Sequence, residues 1–214
     1  MELVKLSDQS INGVPYTTAD IIASYAQVSH KHINSMINKY KDRLERKSKL
    51  LFKKEVSGAN PKKIYMLSER QATLLITFLK NTERVADFKE KLVDSFFKVR
   101  IQQNQRKMIY DFSKDISKQL GDAIKNNVEV NKFTYANFNK LVYKSAIGIS
   151  TNQLRKRRNI PNNAEISTYL DIEEFKKVNN AKVKLVGLLN QNLSYQEIKE
   201  RMTPKVINLD TVLS

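Results

Sequence analysis

From Thr82 to Asn127 the chain reads TERVADFKEKLVDSFFKVRIQQNQRKMIYDFSKDISKQLGDAIKNN, without a proline. Val85, Phe88, Leu92, Phe96 and Val99 recur at spacings of three and four, and the pattern resumes with Ile109, Phe112, Ile116, Leu120 and Ile124. Only a helix at 3.6 residues per turn puts such residues on one side. Thr82 is a suitable cap. The spacing therefore predicts one long amphipathic helix, and a chain holding it has few architectures open to it. The polar run Gln102 to Lys107 interrupts the stripe and marks a boundary between parts. Two readings stay open: the second half forms a dimer contact, or the whole helix packs within one chain.

Breakers are scarce throughout, with 5 Gly and 4 Pro in 214 residues. That favours helices over a many-turned β architecture. At 41% hydrophobic residues a folded core is expected, and the length suits two modest domains. The expected fold is mainly α: a winged helix-turn-helix over residues 1–101, a long-helix linker and possible dimerisation region over 102–131, and a helical domain over 132–214.

The segment Tyr16 to Tyr40 reads as two short helices joined by a tight turn, with Thr18 and Ser29 as N-caps. On the second helix Ile33, Met36, Ile37 and Tyr40 share a stripe. The opposite face carries Lys31, Asn34, Ser35 and Asn38, flanked by His32 and Lys39. Cation and amide donors on a helix held by its other face suit a major groove; a solvated helical hairpin has the same pattern. Before it, Asn12-Gly13 is a turn signal between runs that could pair as a small hairpin, the alternative being a loosely ordered N-terminus. After it, KDRLERKSKLL is a charged connector that could extend the second helix.

Phe52 to Val56 and Lys62 to Leu67 then read as strands around the turn formers Ser57 to Pro61. A hairpin directly after a helix-turn-helix is a wing. Lys53, Lys54, Lys62 and Lys63 lie on it, placed for phosphates. Ser68 caps the next helix, completing an S-x-x-Q box with Gln71.

Charge agrees with this placement. The net charge is +16. Between Lys31 and Lys63 eleven Lys or Arg face only Asp42, Glu45 and Glu55, a net of +8. Half the excess sits in a short stretch, which a general lysine bias would not produce, so the expected partner is double-stranded DNA.

The last hundred residues read as a second helical unit. Phe138, Leu141, Val142 and Ala146 align after Thr134, Gly148 ends that helix, and Ser150 caps the next. Arg155, Lys156, Arg157 and Arg158 form a second basic cluster, open to nucleic acid, to an acidic protein surface or simply to solvent. Asp171 and Ser194 cap two further helices, and a poorly ordered tail is expected after Thr203-Pro204.

There is no cysteine, and His30 and His32 are the only histidines. That excludes disulfides and thiolate chemistry and leaves little for a metal centre or a catalytic triad. No paired carboxylates of a nuclease arrangement and no phosphate loop occur. No enzyme, metal or cofactor is expected. No apolar run approaches a membrane span, so a cytoplasmic protein without a membrane partner is expected.

The order YTTADIIASYAQVSHKHINSMI, then KKIYMLSERQATLLITFL, then ADFKEKLVDSFFKVR resembles the phage regulatory protein Rha family, over roughly Tyr16 to Arg100. Lys31-His32-Ile33, Tyr65-Met66-Leu67-Ser68, and Lys89 with Phe96 carry the resemblance. The family's glycine-bearing segments stand here as Gln71 to Leu75 and Lys80 to Arg84. The stretch from Gly148 to Arg155 is similar to an accessory domain of phage antirepressors. The resemblance implies a regulator from a temperate phage or similar element, acting on lysogeny, induction or host interference. Two functions are expected to compete. One is a DNA-binding transcriptional regulator, as a homodimer. The other is an antirepressor whose C-terminal helices bind a repressor or host replication protein.

Overall fold

The computed structural model describes residues 2–57 and 60–203, without the side chains of 56, 57, 60 and 61. Gly58 and Ala59, centre of the expected turn, and the tail from Pro204 lie outside the described residues. The chain divides into two compact units between Asn104 and Gln105. The described structure is mainly α with one small antiparallel sheet.

The first unit opens with β1 (Lys5–Leu6) and β2 (Pro15–Thr18). Both strands of the expected N-terminal hairpin are present and pair antiparallel. The loop between them is tight. Gly13 N–H donates to Ser10 O at 3.0 Å, and a Cβ on Gly13 would sit 2.3 Å from Asp8 O, so no other residue fits. Gln103, far along the chain and buried, clamps this loop by donating from Nε2 to the carbonyls of Ser10 and Gly13 at 3.0 and 3.1 Å.

Helices α1 (Ala19–Ala26) and α2 (His30–Lys39) follow. Thr18 and Ser29 cap them, their hydroxyls accepting from Ile21 N–H and His32 N–H. Gln27 ends α1 in the left-handed region at φ 51°, a conformation that costs a non-glycine residue about 1–2 kcal/mol. It turns the chain sharply into α2, and Val28 N–H closes on Ala23 O at 3.0 Å. Ile33, Met36 and Ile37 of α2 are buried, with Ile33 and Ile37 fully so. Each such side chain contributes about 1.5–3 kcal/mol, which fixes which face of α2 points outward.

The charged connector does not extend α2. Tyr40 leaves helical geometry (φ −106°, ψ 17°), and a separate turn, α3 (Lys41–Leu44), begins after it. The cause is packing: Tyr40 stacks on Phe78 with centroids 3.9 Å apart, and Leu44 is fully buried.

β3 (Leu51–Ser57) and β4 (Asn60–Ser68) form a long hairpin, and β4 also pairs with β2, giving the order β1-β2-β4-β3. Ser68 caps α4 (Glu69–Thr77) through a full capping box with Gln71. Gln71 is itself buried and reaches further, donating to Ser48 O at 3.0 Å and Leu44 O at 3.4 Å. The long helix is α5 (Glu83–Asn127), with Thr82 Oγ1 accepting from Val85 N–H at 3.3 Å. Val85, Phe88, Leu92 and Phe96 join the first unit's core.

The second unit contains the remainder of α5, α6 (Thr134–Ile147), α7 (Thr151–Arg157), a 3-10 turn (Ile166–Tyr169), α8 (Ile172–Leu189) and α9 (Tyr195–Met202). Ser150, Asp171 and Ser194 each make a complete capping box, with Gln153, Glu174 and Glu197 respectively. Thr134 begins α6 rather than capping it, and its hydroxyl accepts from Asn131 N–H. Gly148 ends α6 at φ 76°. Leu120, Ile124, Phe138, Val142, Phe175, Leu185 and Ile198 are buried. Phe112, on the expected apolar stripe, is 66% exposed. Among the described residues no helix is long and apolar enough to cross a membrane.

Candidate nucleic-acid interface

The outward face of α2 follows from the burial of Ile33, Met36 and Ile37. Lys31, His32, Ser35, Asn38 and Lys39 are exposed on it. Asn34 is half-buried, and its Oδ1 has no hydrogen-bond partner among the described residues. Lys39 Nζ lies 5.3 Å from the centroid of the Tyr40 ring.

The hairpin supplies the second group of cations. Its register sets Phe52 opposite Tyr65, Lys53 opposite Ile64, Lys54 opposite Lys63 and Glu55 opposite Lys62. Side chains alternate between the faces of a strand. Phe52, Lys54, Lys63 and Tyr65 therefore share one face, and Lys53, Glu55 and Lys62 the other. The four lysines are split two and two. Lys54 and Lys63 oppose each other directly, a like-charge pairing that disfavours the hairpin unless an anion is present. Lys63 is drawn onto the aromatic pair beside it, its Nζ 4.1 Å from the Phe52 centroid and 4.5 Å from that of Tyr65.

Two contacts tie this hairpin to the helices. Tyr65 donates its hydroxyl to Asn38 Oδ1 at 3.3 Å. Lys62 Nζ lies 2.6 Å from Asp20 Oδ2, while Asp20 Oδ1 lies 2.8 Å from His30 Nδ1. Asp20 thus stands between the wing and the first residue of α2. Lys62 is partly neutralised where it stands, unlike Lys53 and Lys54, which are exposed with no acidic partner in the described ion pairs. Asp20 does not stand out in the sequence, and Tyr65 does so only as part of the Tyr65-Met66-Leu67-Ser68 segment, not as a partner of Asn38. An acid in a first helical turn is ordinary, and the role of Tyr65 depends on which hairpin face turns to α2.

The second basic cluster does not present its four cations together. Arg155 donates to the carbonyls of Pro161 and Ala164. Arg158 donates to Tyr169 O and to Glu174 Oε1, both at 2.6 Å. These two guanidinium groups fasten the loop between α7 and α8, and only Lys156 and Arg157 are exposed.

Residues 17–101 match the family model of phage regulatory protein Rha. The match spans about two fifths of the chain and includes α2, the hairpin and their ties, but not Arg155 to Arg158. No curated protein matches the chain.

Proposed function

We propose that this protein is a DNA-binding transcriptional regulator of a phage or related mobile element, acting on lysogeny or induction. The family match of its N-terminal segment supports a phage regulatory role. The observation that carries DNA binding is the joint presentation of the α2 face and the lysine-bearing hairpin, held together by Tyr65–Asn38 and Lys62–Asp20. In this reading Lys31, His32, Asn34, Ser35, Asn38 and Lys39 approach base edges or the adjoining backbone. Lys53, Lys54, Lys62 and Lys63 hold phosphates, which give affinity without sequence information.

A homodimer belongs to the same reading, because paired half-sites match a two-fold protein. In the first unit α5 leaves Phe97 and Ile101 about half exposed, and in the second it leaves Met108 and Phe112 more exposed still. Side chains of this kind suit a contact with a second copy, which sedimentation equilibrium would detect.

One observation favours a second role for the C-terminal unit, as a binder of a repressor or host protein. With Arg155 and Arg158 engaged internally, little of that cluster is available to phosphates. Selection from a random duplex pool tests the main reading. Enrichment of one sequence, lost with Asn34→Ala but merely weakened with Lys53→Ala, is the expected result. A pool that never enriches, alongside pull-down of a single protein partner, would favour the second.

A further inference from the structure

Asn38 stands at the C-terminal end of the outward stripe of α2, three and four residues beyond Ser35 and Asn34. It is exposed, yet one end of its amide is already engaged: Oδ1 accepts from the Tyr65 hydroxyl at 3.3 Å. An asparagine that reads adenine uses both ends of its amide, accepting from N6 and donating to N7. With Oδ1 held by Tyr65, Asn38 presents Nδ2, whose N–H donors take up no acceptor among the described residues. A side chain presenting donors selects for acceptors on a base edge.

The surface beside that donor is aromatic. Tyr65 is half-buried, and its ring meets Phe52 edge-on across the hairpin, with centroids 6.4 Å apart and planes at 67°. Phe52 is 46% exposed and lies outside the core cluster against which Tyr65 packs. An apolar ring is not required at this face of β3, because Lys54 occupies the next position on it. Half of the ring surface is therefore left in water, where burial against a partner would be favourable. Lys63 Nζ lies over both rings, 4.1 Å from the Phe52 centroid and 4.5 Å from that of Tyr65. With a cation over the rings on that side, the pair suits contact along its exposed flank better than stacking of an unpaired base.

A fixed donor, an exposed aromatic flank and a cation thus adjoin in the first unit. Thymine presents the matching groups in a major groove. Its O4 accepts, and the methyl group on the neighbouring ring carbon is the apolar mark that distinguishes it there. Guanine offers acceptors without a methyl group. Cytosine offers a donor, and two-point pairing with adenine needs the acceptor that Tyr65 has taken.

We propose that Asn38, Tyr65 and Phe52 together select a thymine in the bound duplex. Asn38 Nδ2 donates to O4, the flank formed by Tyr65 and Phe52 covers the 5-methyl group, and Lys63 pairs with an adjoining phosphate. The inference rests on DNA binding by α2 and the hairpin, and it names the base that their junction reads. Phe52 becomes a specificity residue carried by the wing.

The test starts from the duplex that the full-length protein selects out of a random pool. Each thymine in it is replaced in turn by deoxyuridine, which removes the 5-methyl group and leaves every hydrogen-bonding group in place. At one thymine of each bound site the natural protein should lose about fourfold in affinity, the effect of one methyl group left in water. Phe52→Ala should bind the thymine and deoxyuridine duplexes alike, and bind random duplex as the natural protein does. Phe52→Leu, which keeps an apolar side chain on β3, should still discriminate. The deoxyuridine comparison uses the natural protein, so it decides even where a variant fails to fold. A selected sequence without thymine, indifference to deoxyuridine at every position, or a methyl effect that Phe52→Ala retains in full would overturn the inference and leave DNA binding standing. A pool that never enriches would overturn the inference together with the reading on which it rests.

Discussion

Tyr65 on β4 donates its hydroxyl to Oδ1 of Asn38 on α2 at 3.3 Å, joining the wing to the outward face of the helix. The bond is exposed, so its contribution to stability is small, about 0.5–1.5 kcal/mol or less. Its effect on orientation is larger, because it fixes which way the Asn38 amide faces. Tyr65→Phe should leave the melting temperature almost unchanged and lower affinity for the preferred duplex several-fold, with random duplex bound as before. Fluorescence anisotropy on both duplexes measures this. Equal loss on the two would reduce the bond to a structural tie.

Asp20 puts a carboxylate between His30 and Lys62, where phosphates would lie. Asp20→Asn removes that charge and releases Lys62. Exposed ion pairs contribute about 0–1 kcal/mol, so the fold should persist. Binding to any duplex should tighten, and the slope of log K against log salt should steepen by up to about 0.9, one further phosphate contact. Weaker binding would mean that the Asp20 bridge is needed to hold the wing in place.

Gln71 completes a helix cap and also satisfies the carbonyls of Ser48 and Leu44. Gln71→Leu should cost more than the loss of a cap alone. The cap contributes about 1 kcal/mol and an abandoned buried carbonyl about 1–3 kcal/mol, so roughly 2–4 kcal/mol is expected from urea denaturation. Ser68→Ala, which removes the cap hydroxyl but leaves the Gln71 bonds to the connector, should cost about 1 kcal/mol. Equal losses would show that the connector bonds contribute nothing.

Burial lowers the pKa of Lys182 below its ordinary 10.5, with Glu165 offsetting part of the shift. The folded state then holds this proton less tightly than the unfolded chain. Stability associated with Lys182 should rise with pH between the lowered value and 10.5, and be flat below that window. Two tyrosines of the second unit act in the opposite sense. The Glu165 hydrogen bond raises Tyr110 to about 12, and burial pushes Tyr143 up as well, so their contributions fade as pH climbs above 10. The measurement is therefore a difference: the stability of Lys182→Met relative to the natural protein should be greatest at neutral pH and shrink toward pH 10.5. A difference independent of pH would contradict it.

The helices of both units are legible in the sequence because two local signals agree. Hydroxyl or carboxylate caps at Thr18, Ser29, Ser68, Ser150, Asp171 and Ser194 stand directly before apolar stripes of helical period. Long-range polar contacts have no such period. Gln103 sits in the run Gln102 to Lys107, which reads as a polar break between parts, yet it is buried because it serves two carbonyls of a turn some ninety residues earlier. Tyr40 reads as the end of a stripe, and its stacking on Phe78 is what breaks the helix there. Strand alternation tells that Phe52 and Lys54 share a face, but not that Tyr65 beside them reaches Asn38. The hydrogen bonds from α8 to α5 are hidden for the same reason: Asn179 and Lys182 look like ordinary polar positions until α5 is packed against them.

In the proposed function α2 and the hairpin bind double-stranded DNA. The most direct test is the salt dependence of duplex binding by the natural protein and by the Lys53→Ala, Lys54→Ala double variant, on a selected and a random duplex. The expected result is a steep negative slope for the natural protein, reduced by about 1.8 in the double variant on both duplexes, as two phosphate contacts are lost. Binding that is absent at low salt, or a slope that the double variant leaves unchanged, would contradict it.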